Sequence, residues 1–206
     1  MPERRGRVNR IDATGRAGFA PGETTAWRDR RMIVITQATT QEDLDEVREL
    51  MRAFVAWHRA AHPDDADLIG RYFDAAGFER ELDGLPGPYA PPRGRLLLAR
   101  EGGRAVGCVA LRDLGDGACE MKRMFVPAEF RGLGVGRRLA DALLEEARGA
   151  GYRRMRLDTS HRQTDAIRLY ERSGFRRIPP PDDLSAELKA WLVFFERPLE
   201  GSGAGE

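Results

Sequence analysis

The segment Cys119–Gly136, CEMKRMFVPAEFRGLGVG, leaves this chain few folds to choose from. Its Met, Phe and Val residues favour extended backbone, and Pro127 ends the extension because it has no N–H to give to a ladder. Arg131, Gly132, Leu133, Gly134, Val135 and Gly136 then lead into the amphipathic run RRLADALLEEA. A strand, a glycine turn and a helix in that order build an anion site. Glycine lets backbone come close to a ligand, the first N–H groups of a helix have no partner within it, and the helix dipole favours negative charge there. Arg131 and Arg137 add side-chain cation at either end.

Two common phosphate loops do not fit. A dinucleotide fingerprint spaces its glycines G-x-G-x-x-G, with an acidic residue about 20 positions on. Here they stand at Gly132, Gly134 and Gly136. A nucleotide-triphosphate loop needs Gly-Lys-Ser/Thr, which this segment lacks. The order Arg-x-x-Gly-x-Gly, carried by Arg131, Gly134 and Gly136, instead resembles the acyl-CoA loop of the GNAT family of N-acetyltransferases. A second block is similar to the same family: the strand-like YRRMRLDTS, then QTDAIRLY from Gln163 to Tyr170, then ERSGF, with Ala166, Ile167, Leu169, Tyr170, Gly174 and Phe175 in the matching places. The resemblance spans residues 32 to 198 and is strongest from 118 to 178.

The resemblance implies an α+β fold, a mixed and mainly antiparallel central sheet flanked by helices, with acetyl-CoA as acyl donor and no metal. It also implies that the diphosphate lies on Arg131, Gly132, Leu133, Gly134, Val135, Gly136 and Arg137, while the pantetheine arm follows Met124, Phe125 and Val126 as an added strand. Gln163 stands where many members carry Asn beside the cofactor. Tyr170 matches the family tyrosine facing the thioester sulfur. Glu120, eleven residues before Arg131, has a spacing similar to that of the glutamate base in several histone-acetylating members.

These two residues suit the chemistry. An acceptor ammonium must lose a proton before its lone pair can attack, a task in which a positioned base is worth ~10² to 10⁴ in rate. The leaving thiolate needs stabilising. A phenol of pKa ~10 giving its proton to a thiolate whose acid is near ~8.5 works uphill by about 2 kcal/mol, so Tyr170 is expected to donate a hydrogen bond to the sulfur rather than transfer its proton. Strand alternation puts Glu120 on one face with Lys122 and Met124, opposite Met121, Arg123 and Phe125. Of the 34 basic residues only Lys122 and Lys189 are lysines. A compact ammonium at Lys122 would hold Glu120 ionised or bind a carboxylate on the acceptor, which marks it as a substrate-binding candidate.

Other candidates carry less. His58 and His62 stand at i and i+4, but no HExxH pattern or nearby cysteine joins them, so no metal is expected. Cys119 has no companion base and reads as a small core residue. With 34 basic and 33 acidic residues the net charge is +1, which offers nothing to nucleic acid or to a membrane. The lack of a long apolar run argues against membrane spanning and export, and two cysteines make no disulfide framework, so a cytoplasmic protein is expected.

Residues 1–31 hold eight Arg and no hydrophobic period, which reads as a mobile basic arm; 199–206 read as a disordered tail. Between them the expected elements are a strand at MIVIT, a helix capped by Thr40 and ending near His58 to Pro63, and a helix over 66–82. A Pro- and Gly-rich loop at 84–94 precedes a hairpin of RLLLARE and RAVGCVALR, the Cys119 strand, the loop helix, the GFRRI strand and a last strand over 191–197. The expected activity is N-acetylation of a small amine, such as an amino acid or related carboxylated amine. A protein amino-terminal or lysine acetyltransferase and a silent acyl-CoA-binding module are the alternatives, with a homodimer left open. The acceptor would be chosen by the 58–94 region and the 179–190 loop.

Overall fold

The computed structural model describes residues 32–199. The basic arm of residues 1–31 and tail residues 200–206 lie outside the described residues. Leu199, assigned to the tail above, is instead buried, and its N–H donates to the Arg153 carbonyl at 2.8 Å.

Strand β1 (Ile33–Gln37) leads into α1 (Gln41–Ala61). Thr40 fixes the start of α1 reciprocally: its hydroxyl accepts from the Asp43 N–H at 3.1 Å, and the Asp43 carboxylate accepts from the Thr40 N–H at 2.9 Å. Leu44, Val47, Met51 and Val55 are buried, as their helical spacing requires. The single helix expected over 66–82 is two, α2 (Ala66–Phe73) and α3 (Ala75–Asp83). Asp74 divides them with a φ of 31°, and its carboxylate accepts from the Gly77 N–H at 3.1 Å to start α3. Aspartate tolerates left-handed backbone and supplies a cap oxygen, so local capping overrides an apolar period that runs through it.

Segment 84–94 forms only turns, including a 3-10 turn at Gly87–Tyr89. Strands β2 (Arg95–Glu101), β3 (Arg104–Gly115) and β4 (Ala118–Phe125) make the expected antiparallel meander. There follow α4 (Val135–Gly149), β5 (Arg154–Ser160), α5 (Thr164–Arg172) and β6 (Arg176–Ile178), and the chain closes with α6 (Ala186–Trp191) and β7 (Leu192–Pro198). Helix α6 occupies what reads in the sequence as loop. Ser185 starts it, its hydroxyl accepting from the Leu188 N–H at 3.3 Å.

The sheet order is β1-β2-β3-β4-β5-β7-β6, and every neighbouring pair is antiparallel except β4 with β5. This is the mixed, mainly antiparallel α+β sheet expected, with helices on both faces. Leu96 and Leu98 pack among Val47, Ile69 and Leu82 of α1, α2 and α3; Leu97 and Ala99 pack among Leu139 and Leu143 of α4. Both sides of β2 are therefore apolar, which is why it reads as a run rather than an alternation.

Two irregularities in β4 shape the site. Its parallel pairing with β5 covers only Ala118–Glu120 against Arg154–Arg156, and beyond Glu120 the two strands part. The ladder to β3 also slips: Ala110 faces Lys122 and Cys108 faces Phe125, so β4 spends one more residue than its partner, and Arg123 takes a φ of 55°. The bulge reverses the alternation. Met124 packs with Met121 on the α4 side, while Phe125 joins the cluster of α1 and α2. Arg123 pairs with Glu81 of α3 and lies 5.3 Å over the Phe73 ring. The face expected for Met124, Arg123 and Phe125 from simple period-2 reading is thus corrected from Arg123 onward.

Candidate active site

Where β4 and β5 part, a groove of about 570 Å³ opens. Met124, Phe125, Val126, Arg131, Gly132, Gly134, Val135, Gly136, Arg137 and Gln163 all border it; of the expected cofactor residues only Leu133 does not, its side chain lying exposed on the loop. Gly134 is the residue before the first turn of α4 and has a φ of 80°, a conformation in which side chains are strained. It lets the chain turn so that the free N–H groups of α4 point into the groove. Arg131 is held from two sides: its Nε donates to the Val126 carbonyl at 3.0 Å, and its guanidinium lies 4.3 Å over the ring of Trp57 from α1. Arg137 pairs on the surface with Asp141 at 2.8 Å, an exposed pair that a stronger anion can replace.

The inner end of the groove runs into a small second cavity of about 40 Å³, and Phe54, Met124, Gln163 and Tyr170 border both. Tyr170 is buried at this junction with its hydroxyl 3.7 Å from the Met124 sulfur. Burial pushes its phenol well above the ordinary tyrosine range, with Asp158 adding to the effect. The hydroxyl therefore keeps its proton and serves as a hydrogen-bond donor.

The small cavity has a polar floor. The Tyr72 hydroxyl of α2 donates to Asp158 of β5 at 2.5 Å, and the Lys122 ammonium of β4 approaches the Tyr72 oxygen at 3.0 Å, Asp158 at 3.4 Å and Glu120 at 3.5 Å. Burial alone would lower the Lys122 pKa, but Tyr72, Asp158 and Glu120 outweigh it and raise it. Lys122 thus borders the cavity with its donors already directed at protein oxygens. Glu120 does not border it: its carboxylate lies behind Lys122 and is paired with Arg112 at 2.5 Å. Phe54, Phe73 and Trp191 add aromatic walls.

Sequence reading missed Tyr72, Asp158, Trp57 and Trp191 as site residues. Tyr72 sits among apolar residues of an amphipathic helix and reads as core. Asp158 carried a usable signal, since aspartate is depleted in strands and here lies between buried Leu157 and Thr159.

A glycine-led helix start at the mouth of a parted sheet suits a donor with a diphosphate at one end and a reactive acyl group at the other, which is the architecture of an acyltransferase. The family model for the GNAT acetyltransferases matches residues 47–175, and the chain belongs to that family. An uncharacterized N-acetyltransferase of Schizosaccharomyces pombe is 39% identical over 131 residues, covering 57% of this chain and 80% of that one. Among solved structures, an acyl-CoA N-acyltransferase of Klebsiella pneumoniae superposes with a TM-score of 0.61 at 28% identity, over 82% of this chain and 99% of its own. The PaiA N-acetyltransferase of Thermoplasma acidophilum, solved with coenzyme A, shares the fold with a TM-score of 0.61 at 16% identity, over 81% of this chain and 99% of its own.

Proposed function

We propose that this acetyltransferase moves the acetyl group of acetyl-CoA to the amine of a small molecule. The observation that carries this reading is the junction at Tyr170, where the groove meets a small polar cavity. A water needs roughly 10–15 Å³, so a cavity of about 40 Å³ has room for an amine and a few neighbouring atoms. The diphosphate would lie on the N–H groups of residues 132–137. The pantetheine would run along Met124–Val126, where β4 no longer pairs with β5.

In this reading Tyr170 donates a hydrogen bond to the departing sulfur. Such a bond to a charged group is worth ~1.5–3 kcal/mol, so Tyr170→Phe is expected to lower kcat by roughly 10- to 100-fold while leaving acetyl-CoA affinity unchanged. Glu120 is proposed to act through Lys122, holding it charged beside Asp158. Glu120→Gln is then expected to lower turnover by less than about tenfold with the acid limb of the pH profile intact; a direct base would cost ~10² or more and flatten that limb. Release of free CoA thiol on adding amino acids, polyamines, aminoglycosides or peptides tests the whole reading. Turnover with small amines supports it, and turnover confined to peptides would favour a protein acetyltransferase. Donor binding without turnover would leave an acyl-CoA-binding module.

A further inference from the structure

The histidine pair of α1 has no part in the scheme above. His58 is 1% exposed, within 6.0 Å of the Phe54 ring and 5.6 Å of the Trp191 ring, and its Nδ1 has no hydrogen-bond partner among the described residues. One turn on, His62 Nε2 is likewise buried and unpartnered among the described residues. An orphaned buried polar atom is destabilising, a penalty that a phenylalanine among these rings would not incur. The two imidazoles lie edge to face, 5.2 Å between centroids. They also span the two cavities: His58 borders the small polar cavity and His62 borders the groove. At the cavity floor Tyr72 and Lys122 are engaged with Asp158, and Tyr170 with Met124.

We propose that His58 takes the proton from the acceptor amine and that His62 passes it to the groove and on to solvent. The assignment rests on the acetyl-transfer reading of the same site. The acceptor arrives as an ammonium. Its first proton goes to the His58 imidazole, and the freed lone pair forms the N–C bond at the thioester carbonyl. When the tetrahedral adduct collapses the C–S bond breaks, nitrogen loses its second proton, and that proton ends on the CoA sulfur, which Tyr170 has meanwhile held by a hydrogen bond. One ammonium and one acetyl-CoA give one amide, one CoA thiol and one proton released through the histidines.

The surroundings keep His58 ready for this. Burial lowers its pKa below the ordinary 6.5, and the neighbouring His62 adds to the effect. Lys122 and Arg123 across the cavity also oppose a charge on it, while Asp65 and Asp158 favour one; Tyr72 and Tyr170 stay neutral. An imidazole that is uncharged at neutral pH is the form a base requires.

The test compares the parent with His58→Gln, His58→Ala and His62→Gln, all checked for folding by circular dichroism. Loss of His58 is expected to lower kcat/KM for the amine by about 100-fold, remove the acid limb of its pH profile, and leave acetyl-CoA affinity within twofold. Added imidazole is expected to restore part of the rate of His58→Ala, a rescue that a purely structural role would not give. His62→Gln is expected to lose less, about tenfold, since solvent can replace the second carrier. Folded His58 variants with parental rate and pH profile would overturn the histidine assignment while parental turnover leaves acetyl transfer standing. A parent that releases no CoA thiol with any amine overturns both. Ring nitrogen resonances give a readout without turnover: His58 found charged at pH 7 would also overturn the assignment.

Discussion

Gly134→Asp is expected to abolish acetyl-CoA binding in calorimetry, a loss of at least 100-fold. Two effects act in the same direction. Gly134 has a φ of 80°, and a residue with a Cβ held there costs roughly 1–2 kcal/mol, or moves the turn that aims the α4 N–H groups. The new carboxylate then lies at the positive end of α4, where it both repels the diphosphate and competes for the same donors. Nothing lies within 4 Å of the Cβ position, so packing is not disturbed and the variant should fold. Gly134→Ala separates the two effects: it carries the strain without the charge and is expected to bind about tenfold more weakly than the parent. Unchanged affinity in the aspartate variant would remove the diphosphate from this loop.

Asp158→Ala is expected to lower both stability and turnover. The carboxylate accepts from Tyr72 and faces the Lys122 ammonium from β5, 36 residues away along the chain. Removing one partner of a buried ion pair costs ~3–5 kcal/mol, because the other charge is left without compensation. Glu120 still approaches Lys122 from the far side, which places the expected loss at the lower end, about 3 kcal/mol. For a domain of this size that is a fall in midpoint temperature on the order of 6–12 °C, measured by calorimetry. Asp158→Asn keeps the shape and one acceptor oxygen and should lose about half as much. A midpoint within 2 °C of the parent for Asp158→Ala would show that the floor of the cavity is not held by this carboxylate.

What the chain announces in its own sequence is local. The strand, glycine turn and helix from Cys119 onward lie within one short stretch, and each part has a propensity that points the same way, so the groove and its lining could be named before any coordinates. Tyr170 was legible for the same reason, through the block that precedes Phe175. The cavity floor was not. Tyr72 and Asp158 meet across 86 residues, and nothing at either position records the other. The reversal at Arg123 was equally hidden, because a bulge is decided by two strands together: β3 supplies the missing step, and Cys108 places its thiol 3.5 Å from the Arg123 carbonyl. Asp74 and Ser185 did carry cap chemistry at their own positions. Each was masked by its neighbours, the first by an unbroken apolar period and the second by the prolines and acids just before it.

The stack of Arg131 on Trp57 makes the groove optically addressable. Its indole lies against a guanidinium that borders the groove, so any ligand that draws Arg131 away changes the emission of a chromophore already in place. Trp191 stands in the other cavity, with its Nε1 donating to Asp65 at 3.0 Å. In the proposed reading each half of the reaction thus has its own indole reporter. With Trp27 replaced by phenylalanine, variants that keep only Trp57 or only Trp191 would let donor and acceptor be watched separately in a stopped-flow instrument, on the unlabelled protein and without a coupled assay.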